Sequence, residues 1–148
     1  MTKSLPPKNI VVYADDDPDD LEFVQDAFTQ YSTNVEVLSF TDGISALSFL
    51  QSIPPLEPTP CLIILDINMP VVNGKEVLVR LRQIERFQSV PVVMFTTSSQ
   101  PQDKHFANKY NAGFVTKPLD VKQMEIITDQ FIDHCAEEIR NKIRRQIQ

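Results

Sequence analysis

Cys61-Leu62-Ile63-Ile64-Leu65-Asp66-Ile67-Asn68-Met69-Pro70 is the stretch that decides the fold. Five apolar residues run unbroken into a carboxylate, and a proline closes the stretch four residues later. A run this short and this uniformly apolar suits a strand covered on both faces better than an amphipathic helix. Before it, residues 53–60 hold Pro54, Pro55, Pro58 and Pro60 and read as a stiff surface loop.

Four similar runs flank this one: residues 10–13, 35–40, 92–95 and 114–116, all rich in Val, Ile or Phe. Stretches with helical spacing lie between them. Pro18 suits the first helical position, with Asp17 as N-cap and Asp19 and Asp20 in the first turn. Leu21, Val24, Ala27, Phe28 and Tyr31 follow along one face. Residues 44–50 form a second candidate, Val77, Leu78, Leu81 and Ile84 mark a third, and Phe106, Ala107 and Tyr110 a fourth. The fifth begins at Asp120, with Gln123 completing a capping box, and continues through Met124, Ile127, Phe131 and Cys135. The three glycines, Gly43, Gly74 and Gly113, fall at element boundaries, where glycine permits a positive φ.

Alternating strands and helices imply an α/β fold with a parallel sheet and right-handed crossovers. Five such units predict a doubly wound, three-layer domain. Residues 9–135 are expected to form it, with a flexible N-terminus at 1–8 and a basic extension of the last helix at 136–148. The 148 residues suit one domain, leaving no room for a separate output domain.

Composition narrows the function. Apolar residues make up 42% and charged residues 23%, as in a soluble protein with a real core. No run is long enough to cross a bilayer, and residues 1–8 lack the apolar segment of a secretory signal, so a cytoplasmic location is expected. The net charge is −6, yet residues 139–148 carry Arg140, Lys142, Arg144 and Arg145 without an acid. The body is therefore strongly acidic, which disfavours nucleic acid. Cys61 and Cys135 are too few for a disulfide scaffold or metal site and read as packing residues. His105 and His134 show no ligand spacing.

In doubly wound sheets, ligands bind beyond the carboxyl ends of the strands. Polar groups collect there: Asp15-Asp16-Asp17 after the first run, Asp66-Ile67-Asn68 after the third, Thr96-Thr97-Ser98 after the fourth and Lys117-Pro118 after the fifth. Each has an ordinary structural reading taken singly, as helix cap, turn residue, strand former or loop punctuation. Together they make chemical sense. A hard cation prefers oxygen ligands and needs few carboxylates. Carboxylates brought together repel unless a cation stands among them. A carboxylate can also act as a nucleophile toward phosphorus, a transfer that needs charge neutralisation above all.

At these residues the sequence resembles the receiver domain of two-component response regulators. The resemblance covers residues 9–135. It includes Asp15-Asp16-Asp17-Pro18, Asp42-Gly43, Leu65-Asp66-Ile67-Asn68-Met69-Pro70 leading to Asn73-Gly74, Thr96-Thr97-Ser98, Ala112-Gly113, and Phe114 through Lys117-Pro118. It implies a five-stranded parallel sheet in the order 2-1-3-4-5. It also implies Asp66 as phosphoacceptor, and Mg²⁺ (with Mn²⁺ as a substitute) held by Asp15, Asp16, Asp66 and the Asn68 backbone carbonyl. Thr96 would be the switch hydroxyl, Lys117 the phosphoryl contact and Phe114 the switch aromatic, lacking the hydroxyl that Tyr would offer. A metal pair shifted to Asp16 and Asp17 is the alternative, which the N-cap role of Asp17 disfavours.

The implied function is phosphoryl acceptance from a sensor histidine kinase or a histidine phosphotransfer protein. The readout would be a partner bound through the face of the fourth helix, fifth strand and fifth helix. The Thr96-Thr97-Ser98 run and the basic tail resemble small stand-alone regulators that serve phytochrome-type kinases. Ile139, Ile143 and Ile147 repeat every four residues. If unbroken, a helix from Asp120 to Ile147 would be about 40 Å long. Homodimerisation, partner docking and a frayed end all remain open for it.

Two other functions compete. A phosphorylation-independent binding module is disfavoured by the intact set of acids, Thr96 and Lys117. A phosphatase resembling the haloacid dehalogenase class would need a second acid where Asn68 stands. A calcium loop starting at Asp15 would need glycine where Asp20 stands.

Overall fold

The computed structural model describes residues 9–31, 34–120, 122–123 and 126–144. The expected flexible residues 1–8, and Met124, Arg145 and Ile147, lie outside them. Strand β1 spans Asn9–Ala14, β2 Val35–Phe40, β3 Leu62–Leu65, β4 Val92–Thr96 and β5 Gly113–Thr116. Helices α1 (Pro18–Tyr31), α2 (Gly43–Ser52), α3 (Gly74–Arg82) and α4 (Pro101–Lys109) lie between them. A 3₁₀ turn, Glu85–Phe87, follows α3. Helices α5 (Ile127–Ile132) and α6 (Glu137–Arg144) come after β5.

All strand pairs are parallel, in the order β2-β1-β3-β4-β5. Side chains alternate across the sheet, as a period of two requires. Ile63 and Leu65 of β3, with Val12 and Ala14 of β1 and Val92 and Met94 of β4, pack under α2, α3 and α4. Leu62 and Ile64, with Val11, Tyr13, Val93 and Phe95, pack under α1 and α5. All four residues of β3 are fully buried, which explains the unbroken apolar run. Each such side chain contributes about 1.5–3 kcal/mol by leaving water, and truncating Ile64 to Ala would cost roughly 2–5 kcal/mol.

Side chains cap the first three helices, Asp17 where the sequence places it. Asp17 Oδ1 accepts the Asp19 amide at 2.9 Å, Asp42 Oδ1 the Ser45 amide at 2.7 Å and Asn73 Oδ1 the Glu76 amide at 3.0 Å. The capping box at Asp120 is half realised, with Oδ1 2.8 Å from the Gln123 amide nitrogen. The proline-rich loop is braced by Arg86, whose guanidinium donates to the carbonyls of Ile53, Pro54 and Glu57.

The last helix departs from expectation. The chain turns at Asp133–Cys135, where the amides of His134 and Cys135 bond back three residues to Phe131 and Ile132. These tight bonds end α5, and α6 starts afresh at Glu137. Cys135 points into the core at the break, and Ile139 packs against the same cluster. A single 40 Å rod from Asp120 is therefore not formed. The basic segment begins as a separate helix folded onto the domain.

Glycine conformation also differs from expectation. No described glycine has a positive φ; Val71, at 66°, and Asn111, at 57°, carry that conformation instead. Gly74 is needed for space, since a Cβ there would sit 2.2 Å from the Asp66 carbonyl oxygen. That contact presses the start of α3 against the loop leaving β3.

Candidate functional site

Parallel strands bring the ends of β1, β3, β4 and β5 to one rim. Tyr13 pairs with Ile64 and Ala14 with Leu65, so Asp15 and Asp66 emerge side by side from adjacent strands. The Asp66 amide donates to the Ala14 carbonyl at 3.0 Å, fixing that level. Carboxylate oxygens of Asp15, Asp16 and Asp66 all lie within 4.8 Å of one another. Asp15 and Asp66 are buried, whereas Asp16 faces solvent. Asp17 turns away to cap α1, so the expected pair, Asp15 and Asp16, is the one that meets Asp66.

Lys117 enters from the end of β5, its amide bonded to the Thr96 carbonyl at 2.7 Å. Its ammonium lies 2.8 Å from Asp15 Oδ2, 2.7 Å from Asp20 Oδ2 and 3.6 Å from Asp66 Oδ2. One cation thus faces three carboxylates in a site closed to most solvent. Burial disfavours the charged Lys117, but its bonds to Asp15 and Asp20 outweigh that and hold it above the usual lysine range. Burial and the Asp15 carboxylate push Asp66 up to about 6, against the pull of Lys117. A carboxyl that loses its proton near neutrality is an available oxygen nucleophile.

Thr96 is fully buried at the end of β4, and its Oγ1 accepts the Ser98 amide at 3.2 Å. The Asn68 amide donates to Asp66 Oδ1 at 3.3 Å, while its side chain points outward. Phe114 lies one strand beyond, half-buried against the α4 side of the sheet. All the sequence-predicted residues except Phe114 therefore gather at the rim.

Two neighbours were not read as site residues from sequence. Tyr13 Oη donates to Asp15 Oδ2 at 2.5 Å, and burial followed by Asp15 raises its hydroxyl pKa. Asp20 closes on Lys117 from α1; burial raises its pKa, partly offset by Lys117. Asp20 reads in the sequence as a first-turn dipole acid like Asp19, and no sequence signal separates the two.

Three buried or clustered acids offer hard oxygen donors converging on one point, and this donor set fits a divalent cation. The model for the response regulator receiver domain matches residues 11–129. Response regulator Rcp1 of Synechocystis sp. is 31% identical over 125 residues, covering 82% of this chain and 84% of Rcp1. The solved Mn²⁺-bound form of Rcp1 matches with a TM-score of 0.74 at 27% identity, over 82% of this chain and 90% of that one. The phosphorylated cyanobacterial phytochrome response regulator RcpA, 23% identical, matches the fold with a TM-score of 0.79 over 88% of this chain and 96% of its own. Receiver domains are signalling switches that bind divalent metal at an acidic pocket. With that pocket in place and the family model spanning residues 11–129, the chain belongs to the response regulator receiver domain family of two-component signalling.

Proposed function

We propose that this chain is a phosphorylation switch in which Asp66 accepts a phosphoryl group. The observation that carries the reading is the meeting of Asp15, Asp16 and Asp66 within 4.8 Å, with Lys117 among them. An Asp66 carboxylate oxygen forms the new bond to phosphorus, and the bond from phosphorus to the donor breaks. The donor is the phosphohistidine of a sensor kinase or of a histidine phosphotransfer protein. Asp15, Asp16, Asp66 and the Asn68 backbone carbonyl would hold Mg²⁺, or Mn²⁺ as in the Rcp1 structure, and the ion would supply charge neutralisation for the transferring phosphoryl. Lys117 contributes an ammonium on the other side, and Thr96 donates its hydroxyl to the attached group.

Thr96 and Phe114 then shift the balance between two states, with the phosphoryl group favouring one. The readout is a downstream protein on the face of α4, β5 and α5, or a second copy of this chain. A phytochrome-type kinase is the proposed donor, on the resemblance carried by the Thr96-Thr97-Ser98 run and the basic tail. The protein acts stoichiometrically, in the cytoplasm, rather than by turnover.

Intact mass after incubation with acetyl phosphate and Mg²⁺, on wild type and Asp66→Asn, tests this reading. One phosphoryl adduct on wild type, absent without Mg²⁺ and absent from the variant, is expected. Equal labelling of both proteins would move the acceptor to the acidic cluster. No adduct from either acetyl phosphate or a phosphorylated histidine donor would sink the switch.

A further inference from the structure

Lys75, Asp103 and Ser98 form a second polar cluster that the rim chemistry does not use. Asp103 lies in the first turn of α4 and is only 7% exposed. It pairs with the Lys75 ammonium and accepts the Ser98 hydroxyl, both in close contact. The Lys75 ammonium also stands 5.2 Å from the centre of the Phe106 ring. These bonds to Lys75 and Ser98 hold Asp103 below the usual carboxylate range. The group is thus ionised and committed to its partners.

The two ends of the cluster lead to two residues of the site. Lys75 follows Gly74, which bonds the Ile67 carbonyl at 3.0 Å and presses on the Asp66 main chain. Ser98 gives its amide to Thr96 Oγ1 at 3.2 Å and accepts the Gln100 amide on its own Oγ at 3.2 Å. A continuous path therefore runs from the Asp66 loop through Lys75, Asp103 and Ser98 to the Thr96 hydroxyl. In this arrangement Thr96 Oγ1 is tied into its own loop.

We propose that Lys75 and Asp103 are a positioning pair: they latch the loop between β4 and α4 and hold Thr96 back from a phosphoryl group on Asp66. This rests on the phosphorylation reading above. Acceptance of the phosphoryl group then has to work against the latch, and breaking the latch speeds acceptance. A bond that merely anchored α4 would change thermal stability and leave the rate of labelling alone.

The test uses the full chain as Lys75→Met, Asp103→Asn and the charge-retaining Lys75→Arg. Amide hydrogen exchange at 97–100 is read without any phosphodonor, and the initial rate of labelling by acetyl phosphate with Mg²⁺ is read beside it. Losing a charge-assisted bond of this burial should raise exchange at those amides about tenfold in Lys75→Met and Asp103→Asn. Labelling should quicken several-fold in the same two variants, while Lys75→Arg follows wild type in both readouts. Unchanged exchange in the broken variants overturns the latch. So does a loosened loop with unchanged or slower labelling. Failure of wild type itself to label rejects the phosphorylation reading and with it the restraint on Thr96, whereas the exchange data would still decide separately whether the pair holds the loop.

Discussion

Asp20 Oδ2 lies 2.7 Å from Lys117 Nζ across 97 residues of chain. The same ammonium stands at 3.6 Å from Asp66, so α1 competes with the acceptor for the Lys117 cation. Replacing Asp20 by Asn weakens that competition and lets Lys117 settle nearer Asp66. A closer cation favours the ionised carboxylate, so Asp66 should titrate lower. The pH at which acetyl phosphate labelling reaches half its maximum is expected to move toward acid in Asp20→Asn. Thermal stability should hold within a few degrees, because the variant also loses a carboxylate that burial disfavours. A pH profile that overlays wild type would show that Asp20 does not restrain Lys117.

Asp66 makes stability depend on pH in an unusual direction. Its pKa rises from 3.8 to about 6 on folding, through burial and then the neighbouring Asp15. Between those values the folded chain binds more protons than the unfolded one. Stability contributed by this group is present below pH 4, declines as pH rises toward 6, and stays lost above. Asp66→Asn removes the titration. With divalent ions chelated, urea unfolding at pH 7.5 should find the variant more stable than wild type by about 1–2 kcal/mol, and the gap should close near pH 4. A constant gap across that range would show that Asp66 is not the titrating group.

Cation binding should compete with the same proton. Isothermal titration with Mn²⁺ or Mg²⁺ is expected to weaken steadily below pH 6, because Asp66 must be ionised to bind. Asp16 is exposed and can be changed without disturbing the core. Asp16→Asn should lose at least the ~10-fold in affinity that loss of an outer-shell partner costs. Asp17→Asn should bind as wild type does, since Asp17 serves the α1 cap. Equal losses at positions 16 and 17 would contradict the 15–16–66 ligand set.

The strands and the rim were legible because they depend on short-range patterns, whereas the sheet order came only from the family resemblance. Apolar-rich runs of three to six residues marked each strand, and Asp17 before Pro18 marked the start of α1. Contacts between distant segments were not legible. Nothing in the periodicity of α1 distinguishes Asp20 from Asp19, and the difference arises only when β5 brings Lys117 beneath one of them. Lys75 and Asp103 likewise read as ordinary helix-start charges until α3 and α4 lie side by side. The break at Asp133–Cys135 escaped notice because Phe131, Cys135 and Ile139 keep helical spacing across it. Position 71 also defied sequence rules, since a β-branched residue there takes a φ that favours glycine or asparagine.

That strain at Val71 is itself open to measurement. The side chain is 90% exposed, so it recovers little by packing, and a residue held there costs on the order of 1 kcal/mol or more. Val71→Asn should stabilise the chain by about 1 kcal/mol in urea unfolding. No gain would mean that the loop leaving Asp66 relaxes the strain in solution.

Arg82 provides the sharpest separation of stability from function. From the end of α3 its guanidinium donates to the carbonyls of Tyr110, Phe87, Val90 and Asn111, at 2.7–3.0 Å. It thereby ties α3 to both the start of β4 and the turn into β5, at the end of the sheet opposite Asp66. Burial lowers its pKa, yet an arginine remains charged, and four carbonyls would be stripped of a partner by its loss. Arg82→Ala is expected to cost roughly 2–4 kcal/mol in urea unfolding. Arg82→Lys should recover only part of that, because an ammonium cannot reproduce the planar fork. Below the unfolding transition, both variants should still label with acetyl phosphate at the wild-type rate, since neither touches the rim. A large loss of labelling in a folded Arg82→Lys protein would instead make this clamp part of the route by which the β4 and β5 ends are held in register at the site.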